Sequence, residues 1–171
     1  MCPGGRVVAA TSEEGRVVTN GMSQYSRAEF NANSGLVVDI SPERDFPGGP
    51  LAGIDLQRHW ESQAFLAGGS TYQAPGQRLE DFLAGRPSTA LGSVTPSYQP
   101  GVHPTDLAQC LPDFVTEAIR EALPVFGRKM PGYDHPDVVL TGVESRTSSP
   151  IRIRRGEDCQ SINTAGLYPA G

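Results

Sequence analysis

The side chains of this 171-residue chain best suited to nucleophilic, metal or anion chemistry are three cysteines, three histidines and one arginine cluster. Cys2, Cys110 and Cys159 cannot all pair, and they lack the close spacing of a zinc knuckle or a CxxC redox motif, so they read as reduced thiols. Cys2 precedes Pro3-Gly4-Gly5, which sets a thiol before a tight turn that exposes its backbone. With no basic neighbour beside it, its ordinary reading is structural. Cys110 adjoins an apolar helical stripe and reads as a small buried hydrophobe. His59 falls mid-helix, whereas His103 and His135 precede prolines in turns. None has an HExxH context, so surface or capping roles are expected and a metal site is not. Arg152, Arg154 and Arg155 lie on a strand-like run that puts Arg152 and Arg154 on one face and Ile151 and Ile153 on the other. Such a face is either simply solvated or an anion site, because a guanidinium fork offers paired donors to carboxylate or phosphate. Upstream, Thr147-Ser148-Ser149-Pro150 concentrates hydroxyls and backbone donors before a rigid turn, which suits a polar heterocycle or an ordinary loop.

Several chemistries are missing. The chain has neither the GxGxxG of a dinucleotide fold nor the GxxxxGK[ST] of a phosphate loop, so it lacks a strand-to-helix glycine turn whose amides grip a pyrophosphate. No GxSxG elbow raises a serine toward a base. A net charge of -5 argues against a nucleic-acid partner held by a broad basic surface. There is no apolar run of bilayer-spanning or signal-peptide length, and the chain reads as soluble and cytoplasmic, with no membrane partner.

The elements that must position these residues are short. The 20 glycines and 15 prolines make up about a fifth of the chain, above the usual share. Residues 6–10 and 16–19 read as a β-hairpin around the polar loop 11–15. Residues 35–40, GLVVDI, have the composition of a buried strand that ends at Ser41-Pro42. A helix runs from Pro50 to the Gly68-Gly69 stop, with Ile54, Leu56, Trp60, Ala64 and Phe65 as its apolar positions. Residues 79–84 read as a turn of helix, and 85–104 as a long irregular segment of the kind that drapes over a surface. A second helical region starts near Pro104, breaks or kinks at Pro112 and ends before Pro124, with Leu107, Leu111, Phe114, Ala118, Ile119 and Leu123 as its core stripe. Strands follow at 137–144 and 151–155. The fold class is α+β, a mixed sheet built from the N-terminal hairpin and the C-terminal strands with helices between them.

Six blocks in order, MCPGGRVVAATSEEGRVVTNGMS, NANSGLVV, PLAGIDLQRHWESQAF, DFLAGRPS, LTGVESRTSSPIRIRR and INTAGLYPAG, resemble the C-terminal portion of the bacterial FAD-dependent dehydrogenase-like proteins, a poorly characterised flavoprotein family. The resemblance covers nearly the whole chain. It implies a single substrate or C-terminal domain over 1–171, truncated at both ends, whose complete parent is an FAD oxidoreductase with a Rossmann glycine turn. By the same resemblance Thr147, Ser148, Ser149 and Pro150 lie near the isoalloxazine, and Gly166, Tyr168, Pro169, Ala170 and Gly171 approach FAD from a returning strand. Cys2, Gly4 and Gly5, with Asn20 and Met22, then wall the substrate side, and Arg152 anchors an anionic group.

The preferred expectation is a substrate-domain fragment, inactive alone, whose parent passes hydride between FAD and an unknown small molecule. A Rossmann-half polypeptide acting in trans is a further expectation. The competing reading is a non-enzymatic interaction module that keeps the fold. An apolar surface larger than a monomer tolerates favours the fragment.

Overall fold

A computed structural model of the chain describes residues 2–49, 51–146 and 151–170. The fold starts with β1 (Cys2–Ala9), which pairs antiparallel with β2 (Thr19–Ser23) from Gly5 opposite Ser23 to Ala9 opposite Thr19. A third strand, β3 (Asn31–Asn33), pairs antiparallel on the other side of β1 and gives the order β2-β1-β3. The hairpin is thus present, but its second strand begins three residues later than residues 16–19 predict. Val17 and Val18 are buried ahead of the strand. The Val17 N–H donates to the Glu61 carbonyl at 3.0 Å, and the Val18 N–H to Thr11 Oγ1 at 3.0 Å. The first of those bonds ties the loop to the helix that carries Glu61, and the second closes the loop on itself.

The short helix α1 (Pro42–Asp45) starts at Ser41, whose hydroxyl accepts the Arg44 N–H at 3.4 Å while the Asp45 carboxylate accepts the Ser41 N–H at 2.7 Å. The longer α2 (Ala52–Ala67) ends at Gly68 as expected. A Cβ on Gly68 would collide with the Gln73 carbonyl, so only glycine lets the chain double back here. The fully buried positions of α2 are Gly53, Glu61, Ala64 and Ala67, a face of small residues around one carboxylate.

The doubled-back chain enters β4 (Ala74–Arg78), the central strand of a second sheet. It pairs parallel with β5 (Val102–Pro104) and antiparallel with β6 (Val139–Thr141), in the order β5-β4-β6. Pro75 and Gly76 disguise β4 in the sequence because both are usual breakers of strands. Here the Pro75 carbonyl accepts from Gly142 at 2.9 Å and the Gly76 carbonyl from Thr105 at 2.9 Å. The buried Gln77 amide donates to the Arg86 carbonyl at 2.7 Å and accepts the Leu107 N–H at 2.9 Å, so it satisfies two loop peptides in the core.

Helix α3 (Leu79–Leu83) follows at once, within the expected turn. Residues 85–101 are irregular and strap across both sheets: Ser97 Oγ accepts the Val7 N–H at 2.9 Å, the Thr95 carbonyl accepts from Asn31 at 2.8 Å, and Tyr98 is buried. A 3-10 turn over Leu107–Gln109 then leads to α4 (Asp113–Lys129). Contrary to expectation, α4 passes through Pro124 for more than another turn. Its last turn packs Phe126 against Tyr133 with ring centroids 5.8 Å apart, a contact that opposes part of the roughly 3 kcal/mol that an internal proline costs. Leu107 and Leu123 of the predicted stripe are buried, whereas Phe114 is exposed.

The fold is α+β, with Leu79, Phe82, Tyr98, Leu107, Cys110 and Leu123 in one core. The terminal strands do not merge into one mixed sheet. The N-terminal strands form an antiparallel sheet of their own, and β6, shorter than the predicted 137–144, takes the edge of the other. Just past β6, the Val143 carbonyl accepts the Thr19 N–H of β2 at 2.9 Å. Residues 35–40 form no ladder. Residues 151–155 form no strand either; their β pairing is a lone bridge from Arg155 to Ser161. No helix among the described residues is long and apolar enough to cross a membrane.

Candidate functional site

Cys2, Gly4, Gly5, Asn20 and Met22 come together on the N-terminal sheet. Between Cys2, opposite Asn33, and Gly5, opposite Asn31, the register shifts in a bulge. Gly4 sits in that bulge at φ +53°, and a Cβ there would run into the Arg27 carbonyl. Gly5 is buried, and a Cβ on it would meet the Met22 carbonyl and the Asn33 amide. Asn33 is the organiser of this surface: its Nδ2 donates to the carbonyls of Arg6 and Met22, each at 3.2 Å, across the strands that Gly5 and Gly21 leave bare. Asn33 is absent from the expected site. The alternation Asn31-Ala32-Asn33 is its one signal in the sequence, since it puts two amides on the same strand face. Cys2 is half-buried, and Asn20 and Met22 are exposed on the outer strand.

The strongest polar cluster lies where the chain leaves β6. Glu61 is 0% exposed and accepts at both oxygens: Arg146 Nε and Ser145 Oγ reach Oε1 at 2.7 Å each, and Arg146 Nη2 reaches Oε2 at 2.7 Å. Arg146 Nη1 also donates to Ser12 Oγ at 2.7 Å, and Gln57 donates to the Ser145 carbonyl at 3.1 Å. Hydrogen bonding to Glu61 raises the Arg146 guanidinium above its ordinary value. With the Val17 bond to its carbonyl, Glu61 gathers the N-terminal loop, α2 and the 145–146 segment at one point. The bidentate geometry fixes the Arg146 side chain against α2. The sequence sign of this clamp is a carboxylate three residues before Ala64 on the buried face of an otherwise ordinary helix.

A second charged cluster braces the irregular segment. Asp137 accepts from Arg78 Nη2 at 2.7 Å, Ser93 Oγ at 2.6 Å and the Ser93 N–H at 3.0 Å, and the Ser93 bonds foremost hold its carboxyl down at about 2. Nearby, Asp81 accepts from Ser88 Oγ and Arg86 Nε at 2.7 Å each, which lowers it as well. Both carboxylates are fully engaged with the chain's own donors. Burial pushes the Cys110 thiol up to about 12, and its Sγ donates to the Leu107 carbonyl. Among the described residues no three or more His, Cys, Asp and Glu side chains are grouped to hold a metal ion.

The remaining expected site residues lie elsewhere. Thr147, Ser148, Ser149, Pro150 and Gly171 fall outside the described residues. Arg152, Gly166, Tyr168 and Ala170 are exposed in the segment 151–170, and Pro169 is half-buried. Within it Arg155 Nη1 donates to the Pro169 carbonyl at 2.6 Å, and the Gly166 N–H donates to Gln160. Arg152 and Arg154 do not share a strand face, because the strand is not formed.

Residues 1–147 match the family described as FAD-dependent protein, C-terminal domain-like. The chain belongs to that family. An uncharacterized protein of Clostridium beijerinckii is 54% identical to it over 172 residues, a match that takes in 100% of this chain and 32% of that protein. The chain therefore spans about a third of the length of the curated relative it matches. For the FAD that gives the family its description, the described residues supply faces and no cradle. The spaces beside Gly5 and Gly21 are taken by the Met22 carbonyl and the Asn33 amide, and Asn20, Met22, Arg152 and Tyr168 are open to solvent. The geometry of these residues by themselves carries no step of flavin chemistry.

Proposed function

We propose that this chain is the substrate-side domain of a larger FAD-dependent oxidoreductase that works in the cytoplasm, and that it is inactive alone. The match of residues 1–147 to an FAD-dependent C-terminal domain carries this reading. In the complete protein a Rossmann unit, on the same chain or supplied in trans, holds the FAD pyrophosphate at its glycine turn. The flavin supplies the hydride chemistry, and the protein orients the partners and excludes water. On this reading the glycine-built sheet with Cys2, Asn20 and Met22 faces the small-molecule substrate. Thr147, Ser148, Ser149 and Pro150 lie near the flavin by the family resemblance, and Arg152 anchors an anionic group, with Gly166, Tyr168, Pro169, Ala170 and Gly171 contributing to the cofactor side.

Tyr25 and Phe30 are 105% and 97% exposed, and Leu51 and Leu66 are also bare; on this reading a further domain covers such side chains. Visible absorbance tests the proposal. The longer relative purified from cells carries bound flavin and this chain carries none; a colourless relative that also fails to take up added FAD defeats the reading.

A further inference from the structure

Residues 35–40 have the composition of a strand and lack a partner. Among the described residues, no peptide N–H or carbonyl from Gly35 to Val38 makes a hydrogen bond, whereas the neighbouring Ser34 side chain accepts from Tyr133 Oη at 3.1 Å and the Asp39 carbonyl accepts from Arg44 at 3.2 Å. The side chains alternate with the period of a strand: Leu36 and Val38 are half-buried, and Val37 between them is 68% exposed. A groove of about 440 Å³ lies between this run and Ile119, Ala122 and Phe126 of α4. An apolar, β-branched run with a free peptide edge beside an apolar groove is a template for one more strand.

We infer that residues 35–40 pair, in the complete protein, with a β-strand from a part of the polypeptide corresponding to the share of the longer relative that residues 1–171 do not match. The occupant follows from length. The relative is 54% identical across the whole of this chain, yet this chain accounts for only 32% of it, so the greater share of that protein is available to cover a face that is bare here. The incoming strand satisfies the peptide groups of Gly35–Val38 and places its own apolar side chains against Val37 and the groove. This inference rests on the proposal that the chain is one domain of a larger flavoprotein, and it adds which segment joins the domains.

Amide hydrogen exchange on this chain and on the intact Clostridium beijerinckii relative tests it. The amides of Leu36, Val37 and Val38 exchange in this chain as freely as loop amides, and the aligned amides of the relative exchange on the order of 100-fold more slowly, while β1 amides match in both. Fast exchange in both proteins overturns the inference. So does protection in this chain that grows with its concentration, since a second copy is then the occupant. Val37→Asp leaves the unfolding midpoint of this chain unchanged, and the aligned substitution lowers that of the relative; equal effects in the two count against a strand at this edge. The flavin content of the relative is read separately by its absorbance. Slow exchange in a flavin-free relative keeps the docking and removes the oxidoreductase, and fast exchange in a flavin-bound one does the reverse.

Discussion

Arg146→Met should destabilise the fold far more than Glu61→Met, although each removes one half of the same ion pair. The asymmetry comes from exposure: the Glu61 side chain is 0% exposed and that of Arg146 36%. Removing Arg146 strands a buried carboxylate on a single remaining donor, Ser145 Oγ. The loss of one partner from a buried pair costs about 3–5 kcal/mol, and the partial exposure of Arg146 sets the expectation at the lower end, about 3 kcal/mol. Removing Glu61 leaves a guanidinium that still bonds Ser12, lies 3.9 Å from Glu13 and reaches water, so about 1–2 kcal/mol is expected. Replacing both by Met puts two apolar side chains in contact, and the double variant should lose no more than Glu61→Met alone. The coupling in the cycle is then at least about 3 kcal/mol. Urea unfolding of the four proteins, with matching slopes, measures it. A coupling within about 0.5 kcal/mol of zero, or a larger loss for Glu61→Met than for Arg146→Met, refutes the reasoning.

The Asp137 carboxyl is held below its ordinary 3.8 at about 2, so its contribution is present above the ordinary value and is lost as pH falls from about 4 to about 2. Asp137→Asn should flatten that part of the stability profile in acid unfolding, and an unchanged acid limb contradicts the assignment. Gly4→Ala forces a φ of +53° and a clash with backbone, and should lower stability by more than about 1 kcal/mol; Gly21→Ala meets only the movable Asn33 side chain and should cost less. Thermal unfolding of the pair ranks them, and the opposite order counts against the bulge geometry. Thiol labelling of the native chain should reach Cys159 and Cys2 and spare Cys110 until denaturant is added, because Cys110 is buried with its thiol pushed up to about 12. Rapid native labelling of Cys110 contradicts the core placement.

Elements with a local signal were legible. Helix α2 between Pro50 and Gly68, the turn at α3, the hairpin and the α+β class all follow from periodicity and from stops that act within a few residues. The misses share a cause in contacts distant along the chain. Strand β4 contains Pro75 and Gly76, and becomes a strand because Val102 and Leu140 pair from far away. Pro124 marks a helix end in isolation, and α4 passes it because the turn beyond has Phe126 to pack. Val17 and Val18 read as strand until the Glu61 carbonyl of α2 takes the first of their amides. Residues 35–40 and 151–155 have strand composition without a strand, since composition supplies half of a ladder and the partner supplies the rest. In the candidate site, Cys2, Gly4, Gly5, Asn20 and Met22 are close in space largely because they are close along one hairpin. Asn33 and Glu61 have only faint local signs, an alternation of amides and a carboxylate on a buried helix face, because the partners that give them a role lie far along the chain.

FAD titration tests the central claim most directly, followed by flavin fluorescence, with this chain alone and then with the chain mixed with the separately produced remainder of the Clostridium beijerinckii relative. Quenching in the mixture and none with the chain alone is the predicted result. Tight binding by the chain alone contradicts the claim that it supplies only faces of the site, and a mixture that holds no flavin, when the intact relative holds none either, contradicts its place in an FAD-dependent oxidoreductase.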